Sequence, residues 1–376
     1  MTTATYDVVI IGAGIVGAAC AAECAREGLA AAVVEARSIG GGATAAGMGH
    51  LVVMDDSEAQ FALTRYSQIL WDEIKRELPR AVEYEACGTI WVATDEEELA
   101  EVKRKEQYYG ERGVAVEVLD ARALEEAEPN LRKGLAGGLR VPGDSVIYPP
   151  CAAQFLIGRA TLSGAKLFLG QAVETVTREG VRLRNGSFIS AGLVVNAAGS
   201  WSPQLTPEVS VQKRKGHLII TDRYPRFLNH QLVELGYLKS AHSQIADSVA
   251  FNIQPRKTGQ MLIGSSRQFG VESVAVESSI LSQMIARARE YMPGLGRLSA
   301  IRAWTGFRAA TPDKLPLIGP HPEHERLYLA TGHEGLGITT SLGTARLLVD
   351  QILRRTPAIP LGPYLPARTI QGLTYA

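Results

Sequence analysis

Residues 6–36 read YDVVIIGAGIVGAACAAECAREGLAAAVVEA. The spacing predicts an apolar strand, a glycine turn, an alanine-rich helix and a second apolar strand, a βαβ unit. Gly12, Gly14 and Gly17 form G-x-G-x-x-G directly after the first strand, and Glu35 closes the second. This is the arrangement that holds a dinucleotide. The first glycine makes the turn, the second admits a pyrophosphate to the backbone, and the third lets the helix approach the strand. Glu35 can accept hydrogen bonds from a ribose diol and would repel a 2′-phosphate. A lone glycine triplet is a weak signal; here the strand, the helix and the acid all stand in place.

That fingerprint serves NAD and FAD alike, and the next residues separate them. Residues 36–50, ARSIGGGATAAGMGH, offer backbone at Gly40–Gly42 and Ala43–Gly47 and a hydroxyl at Thr44. A nicotinamide does not need so long a bare track, whereas a flavin dinucleotide lies extended along one. The competing reading is a flexible surface loop. A second bare stretch comes late, in LYLATGHEGLGITTSLGTARLLVD (327–350), where Gly332, Gly335 and Gly337 precede a helical pattern. A loop stripped of side chains before a helix lets a ligand lie on the backbone.

The chain of 376 residues predicts one large or two intimately joined domains. Its 39 basic and 39 acidic residues cancel and form no basic block, which excludes a nucleic-acid-binding face and favours a small-molecule partner. Cys20, Cys24, Cys87 and Cys151 form no CxxC, and no His/Cys cluster is spaced for zinc, so no metal site is expected. Cys20 and Cys24 read as small buried residues of the first helix. No apolar stretch has the length of a transmembrane segment and no basic leader precedes the first strand, so a reducing, cytoplasmic compartment is expected.

Further along, residues 57–79 have helical spacing behind Ser57 as N-cap, and a charged helix is expected around 95–110 among short strands between Tyr84 and Val141. A helix should follow Pro149 and Pro150. A strand pair is expected around VETVTREGVRLRNGSFIS, turning at Asn185-Gly186, before AGLVV enters NAAGSW. Residues 211–310 read as β-rich with one helix near 275–291, and the chain closes with LPLIG, LYLATG and a helix over 338–354.

Taken in order, GAGIVG with Glu35, GGGATAAGMG, VVNAAGSWS (194–202), WTGFRAATPDKLPLIG (304–319) and TGHEGLGIT (331–339) resemble the FAD-dependent D-amino-acid oxidase superfamily, in its glycine and sarcosine oxidase branch. The resemblance covers nearly the whole chain. GHEGLGITTSLGTA is most similar to FAD-bearing subunits of dye-linked dehydrogenases acting on D-hydroxyproline or opines, and of cyanide synthase. It implies an α/β fold, with a Rossmann-like FAD-binding domain (1–80, 145–210 and 311–376) interleaved with a mainly antiparallel β-sheet substrate domain (81–144 and 211–310).

The resemblance also implies residue roles. FAD would be held by Gly12, Gly14, Ile15, Val16, Gly17, Glu35, Ala36, Arg37, Ala43, Thr44, Gly47, Met48, Val173, Ala198, Gly199, Trp201 and Gly332. Gly335, Leu336, Gly337, Ile338 and Thr339 would meet the pyrimidine edge of the ring, where a helix N-terminus of about half a positive charge stabilises the reduced flavin. Arg308 matches the arginine that grips the substrate carboxylate through two parallel hydrogen bonds. Asn252 stands where glycine oxidases often carry a tyrosine, and could donate one hydrogen bond. His50 could contact a ring hydroxyl, link to the flavin, or be a satisfied structural histidine. His333 is expected to order the flavin loop, and His217 to belong to a strand of the substrate domain.

A cysteine tether to the flavin is excluded, since the last cysteine is Cys151. The implied reaction is hydride transfer from the substrate Cα to flavin N5, giving an imine. Three settings fit: a dehydrogenase subunit passing electrons to partner subunits with an iron–sulfur centre or second flavin, an oxidase releasing hydrogen peroxide, or a flavin-binding scaffold.

Overall fold

In the computed structural model, which describes residues 5–236 and 247–370, the strand Thr5–Ile11 lies inside an eight-stranded sheet. Val8, Val9 and Ile10 are fully buried on both faces, which is why this strand reads as a continuous apolar run rather than an alternation. Parallel neighbours run Leu327–Thr331, Phe188–Asn196, Thr5–Ile11, Ala31–Glu35 and Lys166–Leu169, with Leu317–Pro320 antiparallel at one edge. One face is covered by the opening helix Ile15–Arg26, packed between the closing helix Gly337–Ile352 and Pro149–Leu162. Their shared core includes Ile10, Ala18, Cys20, Cys24, Leu156 and Leu348. The four cysteines are free, and burial raises the Cys24 thiol to about 12, consistent with an inert packing role.

The second sheet also has eight strands, in the order Ala300–Ala310, Gln212–Thr221, Met261–Arg267, Ser248–Pro255, Gln231–Glu234, Thr89–Ala93, Gly137–Val141 and Glu117–Asp120. All neighbours are antiparallel except Gln231–Glu234 with Thr89–Ala93. Helix Ser278–Tyr291 covers one face, with Phe251 and Tyr291 stacked at 4.4 Å between ring centroids. Residues 237–246 of the span expected to be β-rich, with 1–4 and 371–376, lie outside the described residues.

Local chemistry accounts for several boundaries. Ser57 accepts the Gln60 N–H at 3.1 Å and starts Glu58–Ile74; Asp95 accepts the Glu98 N–H at 2.9 Å and starts Glu96–Glu111. The first of these stops short of residue 79, because Pro79 cannot continue it and the last turn tightens, Glu77 N–H bonding Ile74 O at 2.9 Å. The expected strand pair is three strands, Val173–Thr177, Gly180–Leu183 and Phe188–Asn196, since a turn at Arg178-Glu179 reverses the chain as well as the one at Asn185-Gly186. The bare track is not wholly extended: its alanine-rich centre coils into a short helix, Gly42–Ala46. Among the described residues no helix is long and apolar enough to cross a membrane.

Candidate active site

Residues of both sheets wall one cavity of about 940 Å³, reaching from Glu35 to Arg308. This is near the top of the roughly 300–1,000 Å³ range of ligand sites. At the Glu35 end, Gly12 takes φ +104° and donates its N–H to Val34 O at 2.8 Å; a methyl group on it would meet Ala197 O at 2.7 Å. A methyl group on Gly17 would strike the Gly12 carbonyl, so the helix can rest on the turn only without it. Gly14 caps the opening helix without a side chain, which leaves the partial positive charge of the N-terminus exposed to the cavity. Ile15 N–H donates to Thr44 Oγ1 at 3.0 Å, and the Thr44 hydroxyl proton remains available for an anionic oxygen.

Glu35 braces the turn and keeps capacity for a ligand. Its Oε2 accepts from Ala13 N–H and its Oε1 from Arg37 N–H, both at 2.7 Å, and each oxygen retains a further lone pair. The Arg37 guanidinium lies 5.9 Å from the Trp201 ring centroid, and both line this end of the cavity.

At the other end the floor is bare backbone. Gly216 and Gly306 face each other across neighbouring strands. Ala46 packs where a Gly306 side chain would be, and the Arg308 guanidinium lies on Gly216: a methyl group there would sit 2.5 Å from Nη1 and 2.9 Å from Cζ. Arg308 Nη1 donates to Ser266 O at 3.0 Å. Arg214 faces Arg308 in register, and Glu334 pairs with Arg214, so a partly buried carboxylate offsets part of this concentrated positive charge. Glu334 sits at φ +52° in the glycine loop, its N–H bonded to Ala309 O at 2.8 Å.

Three histidines divide by their partners. His217 is satisfied, with Nδ1 3.0 Å from Ser266 Oγ and Nε2 accepting the Glu277 N–H at 3.1 Å. His333 Nε2 meets Thr344 Oγ1 at 2.9 Å, tying the glycine loop to the closing helix, and burial holds the ring down at about 3. His50 lines the cavity, its buried Nε2 has no partner among the described residues, and burial brings the ring down to about 4. Asn252 is also buried on the wall, with Oδ1 unpartnered among the described residues.

The cavity thus brings together Arg308, His50, Asn252, Gly12, Gly14, Ile15, Val16, Glu35, Ala36, Arg37, Ala43, Thr44, Gly47, Met48, Val173, Ala198, Gly199, Trp201, Gly335, Gly337 and Ile338. Gly17, Gly332, Leu336 and Thr339 do not line it. Gly332 packs against Thr311, Leu336 against the Val52–Val53 cluster, and Thr339 Oγ1 donates to His50 O at 2.8 Å. Successive side chains on a helical turn point about 100° apart, so a run such as 335–339 cannot present every member to one ligand.

Sequence reasoning missed Gln171, Arg184, Gln204, Gly216, Ser265 and Phe307, which also line the cavity. Glycine inside a strand was a usable signal for Gly216, since it often marks close approach of another group. The others carry no local signal.

Residues 7–351 match the DAO family, described as FAD dependent oxidoreductase. The chain is 29% identical to the hydrogen cyanide synthase subunit HcnC of Pseudomonas aeruginosa, over 97% of this chain and 96% of that one. It is also 29% identical to glycine oxidase of Geobacillus kaustophilus over 98% of both chains. The crystal structure of that oxidase superposes with a TM-score of 0.87, at 27% identity, over 97% of this chain and 99% of the other. D-amino acid dehydrogenase of Methylobacterium nodulans is 30% identical over 79% of this chain and 70% of its own.

Proposed function

Because the chain belongs to the DAO family of FAD-dependent oxidoreductases and so binds FAD and oxidises an amino-acid C–N bond, we propose that it is a dehydrogenase subunit for a cyclic, hydroxyl-bearing amino acid of the D-hydroxyproline type. The observation that carries this reading is that two cavity-lining residues, His50 and Asn252, each keep a buried polar atom, Nε2 and Oδ1, with no hydrogen-bond partner among the described residues. Each costs about 1–3 kcal/mol while unmet. Glycine has no side chain and the sarcosine methyl is apolar, whereas a ring hydroxyl can donate to Asn252 Oδ1 or accept from His50 Nε2–H once either side chain turns toward the ligand.

In this reading the residues fit the cofactor as follows. Glu35 takes the ribose hydroxyls, the bare turn at Gly12–Gly14 and the Thr44 hydroxyl take the pyrophosphate, and the loop at Gly335–Ile338 meets the ring. The domain division expected from the sequence, with the cofactor held by the first unit and the substrate covered by the second, is part of the same proposal. So is a reducing, cytoplasmic setting. Bound FAD supplies the acceptor for the electron pair that leaves the substrate C–H bond.

The chain's own groups do the rest. Arg308, flat on Gly216, holds the carboxylate and fixes the α-carbon, and position supplies most of the rate. His50, neutral above about pH 4, adds no positive charge beside a substrate whose amine must be neutral to react. The start of the closing helix directs its partial positive charge at the ring edge.

Similarity to HcnC, itself named a subunit, supports electron transfer to partner subunits. The full-length similarity to glycine oxidase favours a second reading, a self-contained oxidase. Anaerobic mixing of the yellow protein with cis-4-hydroxy-D-proline, D-proline, sarcosine, glycine and an opine tests both. Rapid bleaching by the hydroxyproline, with slow recovery and little peroxide in air, is expected. Bleaching by glycine or sarcosine with prompt peroxide would establish the oxidase instead, and bleaching by none would leave a flavin-binding scaffold or a substrate outside this set.

A further inference from the structure

The sequence contains no zinc-spaced motif, yet the fold gathers three ligating side chains away from the cavity. Glu208, His321 and His324 each offer one ligand atom, and these atoms lie within 4.8 Å of one another. Glu208 stands in the connection between Gly199–Gln204 and the strand Gln212–Thr221. The histidines sit in the loop joining Leu317–Pro320 to Leu327–Thr331. That loop is pinned, with His321 N–H to Leu327 O at 2.8 Å and Leu327 N–H to His324 O at 2.9 Å. The two rings lie 4.5 Å apart, and His324 Nε2 is 3.5 Å from Glu208 Oε1.

A second observation points to a ligand. His321 is 3% exposed, and its Nε2 has no hydrogen-bond partner among the described residues. Its Nδ1 accepts the Glu323 N–H at 3.2 Å, so the ring proton is on Nε2 when no ion is present. Buried polar atoms in folded proteins are seldom left so.

We propose that Glu208, His321 and His324 form a binding site for a divalent transition-metal ion of the zinc class, with the remaining coordination positions taken by water. Two imidazoles and one carboxylate suit zinc, nickel, cobalt or copper, and do not suit calcium or magnesium, which take oxygen ligands. Metal–nitrogen distances of about 2.0–2.1 Å require the three atoms to draw together by roughly an ångström. The exposed His324 and Glu208 can turn to do this, while burial holds His321 in place. Coordination through His321 Nε2 moves the ring proton to Nδ1 and gives up the Glu323 contact; no net proton leaves that ring.

None of the three residues lines the cavity, so the ion is a clip rather than a reactant. It ties the hairpin whose second strand runs into the His333 loop to the segment that follows Trp201 and Leu205, both on the cavity wall.

The test uses the untagged full chain with its flavin bound, treated with a chelator, dialysed, and titrated with zinc chloride by calorimetry. One ion per chain with micromolar or tighter affinity is expected, with no response to magnesium chloride. His324→Ala, at an exposed position, should weaken binding by about 10–100-fold, as loss of metal-supporting groups commonly does. Glu208→Gln should weaken it less, and circular dichroism confirms that both variants fold. Absence of saturable one-to-one binding, or an affinity unchanged in His324→Ala, would overturn the proposal.

Discussion

Arg308 is held by the absence of a neighbour's side chain as much as by any bond. Its guanidinium occupies the space that Gly216 leaves, and Ser266 O fixes one corner of the fork. Each of the two parallel charge-assisted bonds to a carboxylate contributes roughly 1.5–3 kcal/mol, so losing both in Arg308→Ala should lower kcat/KM at least about a hundredfold. The flavin spectrum should not change; steady-state kinetics beside an absorption spectrum checks this, and a loss of only a few-fold would remove Arg308 from the site. Asn252 and His50 are a different kind of residue, legible in the sequence only as a departure from a pattern and as a histidine after a glycine track. That their polar atoms are buried and unmet follows from what surrounds them, which their own neighbours in sequence do not reveal.

Elements contribute registers and fastenings. The antiparallel pairing of Gln212–Thr221 with Ala300–Ala310 sets Gly216 opposite Gly306, and a slip of either strand by one residue would turn its glycine to the other face. Gly216→Ala puts a methyl group 2.5 Å from Arg308 Nη1, so it should raise KM by about tenfold or more while leaving flavin content intact. A variant that loses flavin but keeps KM would place the glycine pair elsewhere in the mechanism.

The glycine loop is fastened to the closing helix by His333 and Thr344. Burial depresses His333 to about 3 and His50 to about 4, below the ordinary histidine value. The folded chain therefore binds fewer protons than the unfolded chain between those values and about 6.5. This stabilisation is complete above pH 6.5 and is lost as the pH falls toward 3–4. The melting temperature of the wild type should drop across that window, and that of His333→Gln should drop less steeply; parallel slopes would mean that His333 does not titrate as its burial requires.

In the whole molecule, one long cavity is walled by both sheets, so its ligand bridges them. Flavin-free protein should unfold at lower temperature than the loaded form. At a hundredfold excess over Kd the flavin adds about 2.7 kcal/mol, and equal melting temperatures would be incompatible with a ligand that binds only the folded chain. The opening βαβ unit, the glycine turn with Glu35 and the N-cap Ser57 were determined by the sequence alone, because each depends on residues within one turn or one crossover. The family was legible too, since five motifs recur in a set order. Tertiary structure alone decided which members of the 332–339 run face the cavity, that Arg308 rests on Gly216, and that Glu208 meets His321 and His324. These contacts join residues far apart in the chain, and only strand register and burial bring them within reach of one another.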